Sequence, residues 1–254
     1  GSGVFIDNRG IILTNAHIAQ YFLLYDYPRL GNVECVIRTG APAQPKYRAM
    51  LVYLPPVWVE ANGEKITVTS PTGTGENDYA FLLVTEPVSL GTSLPSSFPS
   101  IPISIAEPRL GDYAFLAAYP AGFLDGTTIA MNLFITSALA TVKEIYTFDG
   151  GPQIDLISVG GTIVSQGGSS GGAMVRMTDG ALSGIIVTAS LAGATTAERD
   201  LRAITLAHID RSLAKQGEGS ISTLLSGNVS AKAAQFSQTT APGLKKILVD
   251  ALEN

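Results

Sequence analysis

The segment Ser165-Gln166-Gly167-Gly168-Ser169-Ser170-Gly171-Gly172 sets two adjacent serines among four glycines. By composition alone it reads as a flexible linker. Read as chemistry, it could hold a nucleophilic hydroxyl beside backbone N–H groups that stabilise an oxyanion. Hydrolysis of an amide at neutral pH needs such a nucleophile, a base to take its proton, a group to orient that base, and donors for the oxyanion. The chain has only two histidines to serve as the base. His17 lies in "ILTNAHIAQ" and His208 in "LAHIDRSL".

The elements that must position these residues are mostly strands. Val4–Asp7 and Ile11–Thr14 flank the turn "NRG". Strands are expected at Val33–Thr39, Lys46–Leu54, Lys65–Thr69 and Tyr79–Val84, which are rich in β-branched and aromatic residues between Gly, Pro and Asn. The Ser- and Pro-rich "EPVSLGTSLPSSFPSIPISIAEP" follows and reads as an extended connector. Strands resume at Tyr113–Ala118, Ile129–Ser137, Ile154–Ser158, Ala173–Met177 and Leu182–Thr188, with a last one near Ala203–Leu206. Helices are expected near Ile209–Gln216 and Gly243–Leu252, the second with Leu244, Ile247, Leu248 and Leu252 on one apolar face. Many short strands around a Pro-rich bridge, followed by late helices, predict an all-β protein of two barrels with helical additions.

The composition narrows the function classes. The 254 residues are 46% hydrophobic and 15% charged, enough to bury a core. Sixteen basic and 21 acidic residues give a net charge of −5, and no basic cluster exceeds a pair such as Lys245-Lys246. Binding to a phosphate backbone has no support there. Cys35 is the single cysteine, so no intramolecular disulfide forms. The longest uncharged runs, Pro87–Ala106 and Leu156–Val175, are too rich in Pro, Gly and Ser for a membrane span. No signal peptide is visible, and the first residue is not Met, so the expected start is a processing site or a cut boundary.

Four blocks in order carry a resemblance. "GSGVFIDNRGIILTNAHIA" (1–19) resembles the first hairpin and histidine segment of trypsin-like serine proteases of the Deg or HtrA type. "NDYAFLLV" (77–84) resembles the segment with the triad aspartate, and "LGDYAFLAAYPAGF" (110–123) the opening of a second barrel. "GGSSGGAMV" with "GALSGIIVTA" resembles the serine loop and the strand lining the specificity pocket. The resemblance covers roughly residues 1–210. It implies two six-stranded antiparallel β-barrels with C-terminal helices. The corresponding divisions are residues 1–90 carrying His and Asp, a connector over 91–110, residues 111–206 carrying Ser, and a helical tail over 207–254.

The resemblance also implies roles. Ser170, in Gly-X-Ser-Gly-Gly, is the nucleophile; His17 is the general base; Asp78 orients and stabilises it. Asp26 and Glu76 are substitutes for Asp78, but neither directly precedes an apolar strand. The N–H groups of Gly168 and Ser170 form the oxyanion hole. Val164 lies at the base of the primary pocket, with Val187, Thr188 and Ala189 opposite. No carboxylate lies between Leu156 and Ser170, so small or medium aliphatic P1 residues are expected. Ser169 stands where trypsin-type zymogens carry the Asp that pairs with a new N-terminus, so that mode of activation is not expected.

The sequence departs from the Deg type in three ways. A strand expected before the first hairpin is not in view, and His17 and Asp78 are more widely spaced than usual. The residues after 210 are too few for a peptide-binding PDZ module. Protein or peptide substrates, no nucleic acid, no metal or cofactor, and an extracytoplasmic location are the implied remainder; the sequence does not fix the oligomeric state. Two alternatives stand beside this reading. One is a catalytically silent or latent binding module of the same fold. The other is an α/β-hydrolase, since Gly168–Gly172 also fits Gly-X-Ser-X-Gly, with Asp200 and His208 following in that fold's order. That fold needs a helix after the serine, whereas "GGAMVRMTDGALSGIIV" reads as a hairpin.

Overall fold

The turn at Asn8-Arg9-Gly10 folds strand β1 (Val4–Asp7) onto β2 (Ile11–Thr14). The Asp7 carboxylate accepts from the Arg9 N–H and guanidinium, and Gly10 takes a left-handed φ of +88°. The computed structural model describes residues 1–69, 72–189 and 195–254. Three more strands, β3 (Ile37–Thr39), β4 (Gln44–Tyr53) and β5 (Ala80–Pro87), complete the first sheet in the order β1-β2-β5-β4-β3. The second sheet holds β6 (Tyr113–Ala118), β7 (Thr136–Thr141), β8 (Glu144–Tyr146), β9 (Leu156–Gly160), β10 (Ala173–Arg176), β11 (Leu182–Ala189) and β12 (Leu201–Thr205). Its order is β7-β6-β10-β11-β12-β9-β8.

Both sheets curl into half-barrels, as the double-barrel reading expects, with the twelve strands of the described residues divided five and seven rather than six and six. The first sheet does not close from β1 to β3. Between those edges lies a cavity of about 810 Å³ lined by residues that include Phe5, Ile37, Tyr47 and Phe98. The connector covers part of the β1 edge, where Phe98 N–H donates to Asn8 O and Ile101 N–H to Phe5 O. It then crosses to the second sheet, with Ser104 N–H on Leu182 O and Leu182 N–H on Pro102 O. Among the described residues all pairs between these strands are antiparallel, and Ser170 leads into strand β10 with no helix directly after it, which removes the α/β-hydrolase alternative.

The helices, in chain order, are α1 (Ala16–Ala19), α2 (Pro56–Asn62), α3 (Gly126–Met131), α4 (Leu206–Lys215), α5 (Ile221–Leu225), α6 (Val229–Thr239) and α7 (Ala241–Glu253). Three local expectations change. Lys65–Thr69 is no strand: a 3-10 turn over Gly63–Thr67 continues α2 and packs under α7, where a Cβ on Gly63 would meet Ile247. Ile129–Ser137 divides into α3 and the start of β7, because Asp125 caps α3 by accepting from the Thr127 and Thr128 N–H groups. Of Val33–Thr39 only Ile37–Thr39 pairs.

Two packed clusters support the sheets. The first gathers Ile11, Leu13, Leu54, Tyr79 and Phe81, extends through Leu182 and Ile185, and is roofed by Phe236, Leu244 and Leu248 of α6 and α7. Burying each such side chain contributes about 1.5–3 kcal/mol. The second cluster fills the other sheet with Leu116, Ile157, Met174, Ile186 and Leu201. Arg38, in β3, crosses between the sheets. Its guanidinium donates to Ile129 O and Ala130 O at the C-terminal end of α3, and to Ala43 O, at 2.6–2.8 Å.

Candidate active site

His17 and Asp78 meet because of strand register. β2 and β5 pair with Thr14 opposite Ala80, so the residues just beyond the end of β2 face those just before β5. His17 then turns inward on the short helix α1, and its Nδ1 lies 2.7 Å from Asp78 Oδ2. Asp78 Oδ1 accepts the backbone N–H of His17 at 2.9 Å, so both carboxylate oxygens serve one residue. The Asp78 side chain is 8% exposed and that of His17 29%, which shields the pair while leaving the ring partly open. Asn15 pins the same turn from its other side, donating through Nδ2 to Asp78 O at 2.8 Å. Asn77 holds a left-handed φ of +57°, a conformation asparagine tolerates better than most residues. Its Oδ1 accepts from Ser212 Oγ of α4, whose hydroxyl also meets buried Tyr79 Oη. Burial pushes the Tyr79 phenol well above its usual value, so it remains a neutral partner.

The glycine loop precedes β10. Gly168 has φ +92° and Gly171 φ +84°. A Cβ at Gly168 would come within 2.7 Å of Tyr119 O, and one at Gly171 within 2.1 Å of Ser2 O, so neither site has room for a side chain. Ala121 N–H donates to Gly167 O at 2.7 Å, which orients the Gly167–Gly168 peptide by its carbonyl. Among the described residues, no protein acceptor takes the N–H of Gly168 or of Ser170. Ser170 is half-buried, and its hydroxyl makes no hydrogen bond to His17. Such contacts are often long without substrate and tighten when it binds. Ser169, by contrast, is 1% exposed, with a hydroxyl that finds no partner among the described residues.

The other predicted residues fall in several places. Val164 is buried in the second cluster, and Val187 in the first, where it faces Gly75. Thr188 and Ala189 end β11 opposite Arg202 and Leu201; their side chains lie outside the described parts. Asp26 is taken up by Lys245 at 2.6 Å, away from His17. Asp200 bonds Ser158 and Arg202 rather than His208. His208 sits in the first turn of α4 and pairs through Nδ1 with Asp155 at 2.7 Å. Burial lowers the His208 pKa, against the pull of Asp155, so the ring is neutral at pH 7. For Asp155 burial acts upward, but donors from the Phe148 N–H, Arg211 and His208 hold its pKa below the usual value. Among the described residues, no three His, Cys, Asp or Glu side chains gather closely enough to hold a metal.

Sequence reasoning passed over Ser2, Thr14, Asn15 and Ala121. Ser2 and Asn15 lie inside the quoted "GSG" and "TNAH", but their types are common in turns and carry no mark of this use. Ala121 acts through its backbone alone.

Two curled antiparallel sheets, a His–Asp pair at the end of one and a glycine-lined serine loop in the other define the double-barrel peptidase class. The model of the trypsin-like peptidase domain matches residues 1–185, and the chain belongs to that family. No curated protein matches it. Among solved structures it is similar to the HtrA-type protease AlgW with a decapeptide, at 19% identity and a TM-score of 0.53, over 86% of this chain and 52% of the other. The chain thus spans about half the length of that protease. It is also similar to the inactive form of Rv3671c from M. tuberculosis, at 19% identity and a TM-score of 0.49, over 85% and 80% of the two chains.

Proposed function

We propose that the protein is a serine endopeptidase working through His17, Asp78 and Ser170. The observation that carries this reading is the doubly bonded His17–Asp78 pair, at 2.7 and 2.9 Å, in a chain of the trypsin-like peptidase family. A carboxylate on Nδ1 fixes the imidazole tautomer, leaving the Nε2 lone pair to act as a base. Ser170 Oγ attacks the substrate carbonyl carbon while its proton passes to His17 Nε2. The charge developing on the carbonyl oxygen is met by the Gly168 and Ser170 N–H groups, which have no competing acceptor among the described residues. Collapse expels the amine with the proton from His17 and leaves an acyl-enzyme, which water cleaves by the same steps in reverse roles.

Peptides are the proposed substrates, as for the decapeptide-bound HtrA-type neighbour. Small or medium aliphatic P1 residues are preferred, because no carboxylate lies between Leu156 and Ser170 to pair with an Arg or Lys side chain. The test is labelling with a fluorophosphonate probe. Wild type and Ser169→Ala label, Ser170→Ala does not, and Ser170→Ala loses on the order of a million-fold in turnover. Folded wild type that fails to label refutes the reading in favour of a silent binding module; cleavage mainly after Arg or Lys refutes the P1 assignment.

A further inference from the structure

A loop that presents two backbone N–H groups to one point needs its neighbouring peptides held, since glycines on both sides leave it free to turn. The Ser169 side chain does not hold it, because its buried hydroxyl has no partner among the described residues; its backbone bonds only within the loop, to Gln166 O and the Gly172 N–H. Ser2 makes four bonds instead. Its N–H donates to Ser170 O at 2.7 Å, and its hydroxyl donates to Gly168 O at 2.8 Å while accepting the Tyr119 N–H at 2.9 Å. Its carbonyl accepts from Thr14 Oγ1 at 2.7 Å.

We infer that Ser2 is a positioning residue that clamps the Ser170 loop between the two sheets and sets its peptide planes for oxyanion binding. This rests on Ser170 being the nucleophile. Five carbonyls of the loop have fixed partners: Gln166 O on the Ser169 N–H, Gly167 O on Ala121, Ser169 O on the Gly172 N–H, and Gly168 O and Ser170 O on Ser2. Ser2 thus fixes the 168–169 and 170–171 peptides on either side of the 169–170 peptide that carries the Ser170 N–H. The Gly167, Gly168 and Ser170 amides are left without a protein acceptor among the described residues. The residue must carry a hydroxyl because one Oγ here both donates and accepts. Alanine would leave Gly168 O and the Tyr119 N–H unpaired in a largely closed site, and the glycine-rich peptide would rotate to recover a bond. Thr14 joins the clamp to β2, three residues before His17, so the same hydrogen-bond chain sets base against nucleophile.

The experiment uses the full chain with Ser2→Ala, Thr14→Val and Thr14→Ser. Hydrogen exchange, which needs no activity, should speed about tenfold across residues 165–173 in Ser2→Ala and stay unchanged across α4. On a peptide substrate, Ser2→Ala should lower kcat about 10- to 100-fold with KM within about threefold, because the loop acts when the oxyanion forms. Thr14→Val should fall between Ser2→Ala and wild type, and Thr14→Ser, which keeps the hydroxyl, should match wild type. If Ser2→Ala does not fold, the Thr14 pair decides by the same readouts. Unchanged exchange over 165–173 overturns the clamp, whatever the activity. Faster exchange with unchanged kcat overturns its part in catalysis. Wild type that neither hydrolyses peptide nor labels with the probe refutes Ser170 as nucleophile, while the exchange result still decides whether Ser2 holds the loop.

Discussion

Asp78→Asn separates a catalytic His–Asp pair from one that only holds the turn. In the wild type two oxygens accept from two donors of His17, the ring Nδ1–H and the backbone N–H. An asparagine keeps one oxygen and replaces the other with an NH₂ group, which can only donate. If the amide oxygen stays on the backbone N–H, the NH₂ faces Nδ1, and the ring must move its proton to Nε2 to accept. That tautomer has no lone pair left for the Ser170 proton. If the amide is reversed, the NH₂ opposes the His17 backbone N–H in a site that is nearly closed to water. That clash disfavours the reversed amide, so the first orientation prevails and the base is lost while the volume is kept. A wrong tautomer in such a triad lowers turnover about ten-thousand-fold, which is about 5 kcal/mol in the barrier. The assay is kcat/KM on a fluorogenic peptide with an aliphatic P1 residue, with thermal unfolding to confirm the fold. A folded Asp78→Asn that keeps more than about a tenth of wild-type activity refutes the argument.

Other outcomes follow from the same geometry. Gly171→Ala, which would set a Cβ 2.1 Å from Ser2 O at a φ of +84°, should cost more than about 2 kcal/mol in urea unfolding. Leu248→Ala, on the inner face of α7, should cost about 2–5 kcal/mol by the same measurement and leave kcat per folded molecule unchanged. His208 has a lowered pKa in the fold, so below about pH 6.5 the unfolded chain takes up the proton first and stability falls with pH, by up to about 1.4 kcal/mol per unit. Asp155, also lowered, adds to stability above its unfolded value near 3.8 and withdraws it below. Melting temperature against pH should therefore drop on acidification from pH 7, and His208→Gln should flatten the upper part of that drop. An unchanged slope in His208→Gln would falsify the assignment.

What could be read beforehand is whatever one segment or one register encodes. The "NRG" hairpin, the strand at Tyr113–Ala118 and the antiparallel pair behind the glycine loop follow from local alternation and turn chemistry. His17 and Asp78 are quoted in motifs that the register of β2 on β5 brings together. Tertiary choices were not legible. Ile66 to Thr69 has β-branched composition, yet most of it lies in or beside a 3-10 turn because α7 packs there. Thr127, Thr128 and Ile129 also favour a strand, and a single capping aspartate turns them into a helix. The role of Ser2 depends on bonds to residues 117, 166 and 168 positions away, and no pattern of neighbouring residues reports that.

The cap that Arg38 places on α3 bears on the order in which the molecule assembles. None of the residues of α3 is buried, so the helix draws little from packing. Its first turn is closed from within by Asp125, but the carbonyls at its far end are satisfied by a guanidinium belonging to the other sheet. Those carbonyls have no such donor until β3 and the second sheet have met. Helix α3 is therefore a late-forming element, completed on docking of the two halves, and substitutions within it should speed unfolding while leaving the folding rate nearly untouched.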